Sequence, residues 1–202
     1  MDDREERMAR MREKFAQNPK WQQLAARRKR ERDARPMPSP LPEYRGASLD
    51  VFRQFARVTS LAVYSMGSPY PEGYEAVFDP SADSLVFARH VRAALAASRF
   101  VPPSHPEFDR LIRMPKQAEL DALEAEDLAQ AGVKTRRALY RDAAHLSLRL
   151  QDGQIELGPM RYRRAGWWEG IPGATPTIPE DVDDEALGTA ILDALATSRA
   201  AR

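Results

Sequence analysis

The chain has 202 residues, 43% hydrophobic and 30% charged, with no cysteine and a formal net charge of +1. That length suits one domain with an appendage and can bury a proper core, while the missing cysteines exclude disulfides, a thiol nucleophile and thiolate metal sites. No run approaches the roughly 18 apolar residues of a membrane-spanning helix, and the charged opening from Met1 to Arg7 is unlike a signal peptide, so a cytoplasmic location is expected.

Charge is distributed unevenly. Residues 1–45 hold 13 Lys and Arg against 8 Asp and Glu, whereas residues 46–202 hold 18 against 22. The front is therefore basic and the body mildly acidic. Asp2 to Ala16 reads as a helix with Met8, Met11 and Phe15 on one face, Asn18-Pro19 breaks it, and a second helix is expected from Lys20 to Ala34. Pro36, Pro38, Pro40 and Pro42 then alternate with other residues, a pattern of extended linker rather than helix. The apolar stripes are too thin for a separate core, so residues 1–45 read as a charged, mostly helical extension and residues 46–202 as a single α/β domain. The run Arg27, Arg28, Lys29, Arg30 admits phosphate neutralisation in nucleic-acid binding, but no stacking aromatics interleave and a solvated basic helix is the favoured reading.

In the body, Val58 to Met66 is rich in β-branched and aromatic residues and reads as a strand, with a short second one at Tyr74 to Phe78. Asp83 to Arg99 (DSLVFARHVRAALAASR) and Asp183 to Arg199 (DDEALGTAILDALATSR) match without a gap at an offset of one hundred residues. Phe87, Val91 and Leu95 recur as Leu187, Ile191 and Leu195 on one helical face. The two aspartates occupy N-cap positions, and Arg99 and Arg199 fall where a cation favours C-terminal carbonyls. Two amphipathic helices of matching design packed on one sheet are expected. Between them, Pro115 opens a helix with Leu120, Leu123 and Leu128 on its apolar side, and Gly132 closes it. From His145 the run HLSLRLQDGQIELGPMRYR alternates in the strand period around Asp152-Gly153, a hairpin turn. The fold class is accordingly α+β or mixed α/β: a small sheet including this hairpin, packed with three or more helices.

Residues that could do chemistry are sparse. His90, His105 and His145 have no second ligand at metal spacing, and the few glycines form no phosphate cradle, so neither cofactor nor metal is expected. A hydrolase or nuclease using His145 or His90 remains a formal alternative. Glu119, Asp121, Glu124, Glu126 and Asp127 along the middle helix are either a solvated face or a docking surface that steers a basic partner. Trp167 and Trp168, beside several arginines, have the residue types of interface anchors, although the favoured reading is that one caps the core and the other is incidental.

Four segments, ALAASRFVPP (Ala94 to Pro103), KTRRALYRDAAHLSLRLQDGQIELGP (Lys134 to Pro159), the Trp-containing loop and TIPEDVDDEALGTAILDALATSR (Thr177 to Arg199), occur in an order that resembles the contact-dependent growth inhibition immunity proteins. The resemblance spans somewhat over half the chain and leaves residues 1–45 without a counterpart. It implies a non-catalytic protein that binds and neutralises the toxic C-terminal domain of a cognate effector, often a nuclease. On that view the five acids and the two tryptophans are the expected toxin contacts. Lys134, Thr135, Arg136 and Arg137 recur in the family and are expected to serve the architecture. The rival reading is a nucleic-acid-binding regulator acting through the basic N-terminal helix. Oligomeric state is not specified by the sequence.

Overall fold

The computed structural model describes residues 41–163 and 167–201, together with Gln23. The expected helices of the basic extension, with Arg27, Arg28, Lys29 and Arg30, lie outside the described residues. In the body, alternation of apolar and polar residues produces strands wherever one face can be buried. These are β1 (Arg45–Val51), β2 (Ala56–Val63), β3 (Gly67–Pro69), β4 (Glu75–Phe78), β5 (Arg99–Phe100), β6 (Ala144–Gln151), β7 (Gln154–Arg163), β8 (Trp167–Gly170) and β9 (Thr177–Pro179). They form a curled, largely antiparallel sheet of order β3-β2-β1-β6-β7-β8, with β4 and β5 added to β2 and β9 to β7. The expected α+β class is what the chain adopts. The Asp152-Gly153 hairpin forms as read, both residues at positive φ, 51° and 72°.

The helices are α1 (Ser84–Ala97), α2 (Phe108–Leu111), α3 (Gln117–Ala131), α4 (Arg136–Leu139) and α5 (Asp184–Ala200). Helices α1 and α5 lie side by side on one face of the sheet. Their matched residues Phe87, Val91, Leu95 and Leu187, Ile191, Leu195 enter a core with Leu49, Val58, Leu146, Leu148, Ile155 and Leu157. Asp83 and Asp183 cap these helices with nearly the same backbone angles, their side chains accepting from the Val86 and Ala186 amides. The helices approach closely at Gly188, where an added Cβ would sit 2.2 Å from the Ser84 carbonyl oxygen. Arg92 crosses to the other half, donating to Asp184 at 2.7 Å and to the backbone oxygens of Glu180 and Val182. The expectation for Arg99 fails: Ser98 ends α1 in an extended conformation, and Arg99 instead donates to Tyr70 and meets His105 and Glu107. Arg199 does lie in the last turn of α5.

The helix repeat is part of a larger one. Adding 99 to both members of the β1–β2 pair Gly46–Leu61 gives His145–Met160, which pair in β6–β7. The Leu61–Pro69 and Ala56–Phe78 pairs of β3 and β4 are likewise matched by Met160–Gly170 in β8 and Ile155–Ile178 in β9. At the centre, β1 pairs antiparallel with β6, and Ser48–Ser147 is the pair that the relation maps onto itself. Residues 45–99 and 144–200 are thus two four-strand-and-helix modules related by an approximate two-fold through that serine pair. Even the final serines correspond. The Ser98 hydroxyl accepts from the Gly46 amide and donates to the Leu61 carbonyl, and the Ser198 hydroxyl accepts from the His145 amide and donates to the Met160 carbonyl.

Residues 101–143 have no counterpart in this repeat. They carry α2 over a small cluster of Ala62, Val101, Leu111 and Ile112, and α3 and α4 over another of Phe52, Phe55, Ala131, Leu139 and Ala143.

Candidate partner-binding face

The middle helix forms where its sequence specifies it: Gly132 closes it in the left-handed conformation, φ 65°. Its apolar side is less buried than expected. Leu120 and Leu123 are each 44% exposed, and Met114 just before the helix is more exposed still. Besides Leu128 and Ala131 on the Phe52 cluster, an ion pair fastens α3. Asp127, 5% exposed, accepts from Arg57 of β2 at 2.6 Å, and Arg57 also reaches Glu126 at 3.4 Å and lies 3.7 Å from Glu75. Burial outweighs the Arg57 attraction and, with Asp50 and Glu126 nearby, pushes the Asp127 carboxyl up to about 6.

The other acids divide. Glu119 accepts two hydrogen bonds from Arg113, both at 2.7 Å, and one from the Lys116 amide. The Arg113 fork and that amide hold its carboxyl down at about 2. Glu124 pairs with Arg136 of α4 at 2.6 Å, and Asp121 accepts from Gln117 within the helix. Of the five expected contact acids, Asp127 therefore anchors α3, Glu119 closes its first turn and Glu124 braces α4. Asp121 and Glu126 keep the most open carboxylates.

Trp167 and Trp168 are adjacent in β8, so strand alternation sends them to opposite faces. Trp167 is 58% exposed. Trp168 is half-buried against His145 at 5.2 Å, Tyr162 at 5.3 Å and Tyr140 at 6.1 Å between centroids. Tyr140 and Tyr162 stack at 4.3 Å with their planes 8° apart, and burial with nearby carboxylates raises the Tyr140 phenol to about 12. Beside this stack lies an open depression of about 1080 Å³ lined by Thr135, Arg136, Arg137, Ala138, Tyr140, Arg141 and Tyr162.

Of the KTRR residues, Thr135 caps α4 through the Ala138 amide and Arg136 takes Glu124, both architectural. Arg137 is exposed on the depression instead. Arg141, Tyr140 and Tyr162 were not anticipated; the spacing of Arg137 and Arg141, four residues apart around Tyr140, was the signal available. Each histidine has a local partner. His90 meets the Tyr74 hydroxyl at 2.7 Å, His105 accepts from the Glu107 amide, and His145 meets Asp50 at 2.7 Å. Among the described residues no cluster of three His, Asp or Glu side chains is arranged to hold a metal ion, and no helix is long and apolar enough to cross a membrane.

Comparison with known families returns CdiI, the CDI immunity protein, over residues 45–198. The chain belongs to the contact-dependent growth inhibition immunity protein family. The match begins with β1 and ends at Ser198, so it takes in both modules and the insertion between them. No curated protein matches the chain. Among solved structures, a protein of unknown function from Neisseria meningitidis shares the fold with a TM-score of 0.69 at 20% identity, over 80% of this chain and 99% of that one. A chain of the CdiA-CT/CdiI toxin and immunity complex from Yersinia pseudotuberculosis has a TM-score of 0.65 at 22% identity, with the same coverage.

Proposed function

We propose that this CDI immunity protein acts by binding the toxic C-terminal domain of a cognate contact-dependent growth inhibition effector and blocking it, with no catalysis of its own. The family match over residues 45–198 carries this reading. The naming of the Yersinia pseudotuberculosis structure as a toxin and immunity complex supports it.

The toxin is a nuclease in this reading, bound in the cytoplasm of the producing cell by the domain of residues 46–202. A nuclease must present positive charge to its substrate, and Asp121 and Glu126 offer open carboxylates to such a surface. Leu120 and Leu123 add apolar area that nothing within the described residues covers, which is the usual composition of a contact surface, and Trp167 is a separate exposed anchor on the opposite face of β8 from Trp168. Trp168 packs against Tyr140 of the α4 segment rather than anchoring a partner directly.

The test is titration of the purified chain against the C-terminal domain of the effector encoded immediately upstream in the producing genome. Nanomolar one-to-one binding that abolishes the domain's toxicity is the expected result. Absence of binding, with nucleic acid recovered on the chain instead, would transfer the function to the Arg27, Arg28, Lys29, Arg30 run. A hydrolytic activity lost on His145→Ala or His90→Ala would restore the enzyme alternative.

A further inference from the structure

We propose that the depression beside α4 is a receptor for carboxylate side chains of the toxin domain, gripped by Arg137 and Arg141 over the Tyr140–Tyr162 stack. This deepens the toxin-binding reading and rests on it.

The first observation is charge left over. Several arginines around α3 and α4 are paired internally: Arg57 with Asp127, Arg113 with Glu119 and Arg136 with Glu124. Arg137 and Arg141 line the same concavity, and among the described residues neither makes an ion pair or side-chain hydrogen bond. Two exposed guanidinium groups with no partner among the described residues keep their donor forks available. A guanidinium fork matches a carboxylate in bidentate geometry. The bracing of Arg136 by Glu124 at 2.6 Å fixes the wall they stand on and shows a carboxylate held by this same short helix.

The second observation comes from the repeat. Gly46, Val63 and Gly67 of the first module correspond by register to His145, Tyr162 and Trp168 of the second. Small residues suffice to complete the strands at that end of the first module. Three rings at the equivalent end of the second are therefore not required by the strand architecture; they build a rigid aromatic platform beside the arginines. Rigid rings cost little conformational entropy on binding, and a flat floor limits which groups can enter.

The concavity favours a protein carboxylate over a nucleic-acid backbone. It is a short patch with two cations that have no partner among the described residues, not a track along which successive phosphates could lie. It is set in a body that carries 18 Lys and Arg against 22 Asp and Glu, which opposes a long polyanion at a distance but not a local acidic side chain.

The experiment uses the full chain and the upstream-encoded toxin domain, with affinity measured in low and high salt. Arg137→Glu/Arg141→Glu is expected to weaken binding about 100-fold, and Arg137→Lys/Arg141→Lys about 10-fold, because lysine keeps the charge and loses the fork. Both variants should melt with the unsubstituted chain, since neither side chain has a partner among the described residues. Binding by the glutamate variant within about twofold of the unsubstituted chain would overturn the receptor while leaving the toxin reading intact. Loss of an oligonucleotide complex with toxin binding unchanged would also overturn it, by reassigning the arginines to phosphate. If the unsubstituted chain fails to bind the domain at all, both proposals fall.

Discussion

The two modules at residues 45–99 and 144–200 solve the same packing problem with different surfaces. Facing the core, they are near copies: alternate apolar residues on the strands, one amphipathic helix with an aspartate cap, and a serine that clasps the strand pair. Facing the other way they diverge. The cross-strand pair Asp50–Arg57 of the first becomes Arg149–Glu156 in the second, with its signs exchanged, and the Gly46, Val63, Gly67 end becomes His145, Tyr162, Trp168. The core tolerates little variation because each side chain there is packed on all sides, whereas the open face is free to be specialised. The difference teaches where to look for function: at the end of the second module where side chains exceed what the repeat needs, joined by the insertion that only one side carries.

If the modules are equivalent in the core, equivalent truncations should cost alike. Phe87→Ala and Leu187→Ala are each expected to remove about 3–4 kcal/mol of stability, since both side chains are fully buried at matching positions. Urea unfolding of each variant measures this. A loss confined to one position would break the comparison at its foundation.

The serine clasps are the next test. Ser98→Ala and Ser198→Ala each leave a backbone amide and a carbonyl without their hydroxyl partner, at an expected cost of about 1–3 kcal/mol apiece. Because the clasps hold different strand pairs, the double variant should lose nearly the sum. Marked non-additivity would show that the halves do not behave as separate modules.

How much of this was visible in the sequence follows from the range of each interaction. The helix repeat was legible because helical faces and aspartate caps are set by residues within four positions, and Asp83 and Asp183 do as expected. The strand repeat was not, since β1 and β6 share only alternation, and β3, β8 and β9 are defined by register with β2 and β7. Leu120 and Leu123 looked like a buried stripe because periodicity cannot say whether a partner layer exists. The five acids looked like one surface because periodicity does not show which of them folding will pair: Arg57, which takes Asp127, lies 70 residues before it. Arg99 misled because its resemblance to Arg199 hides the turn after Ser98.

The insertion sharpens the comparison through pH. Arg57 of the first module clasps Asp127 of α3, while its counterpart Glu156 is held by no inserted helix. Asp127 titrates at about 6 in the folded chain against an ordinary value of 3.8, so the folded state holds its proton more tightly. Its contribution is therefore fully present below about pH 4, declines as pH rises through 6, and is constant above that, with a slope approaching about 1 kcal/mol per pH unit at most. In Asp127→Asn this part of the pH profile should disappear, read as the difference between the two unfolding curves from pH 4 to 7. An unchanged slope would assign the titration to another group.

The smallest effect separates the two tryptophans. Trp167 is open to solvent and packs on no described aromatic ring, so Trp167→Ala should leave stability within about 0.5 kcal/mol. Trp168 fills the space between His145, Tyr140 and Tyr162, and Trp168→Ala should cost about 2 kcal/mol through the cavity it leaves among them. Toxin affinity should invert the order per unit of stability lost. Removing Trp167 deletes exposed contact area directly, while removing Trp168 acts by loosening the Tyr140–Tyr162 stack beneath the arginines. Measuring both quantities on both variants distinguishes a partner contact from its support, since a residue that only supports cannot change affinity without also lowering the melting temperature.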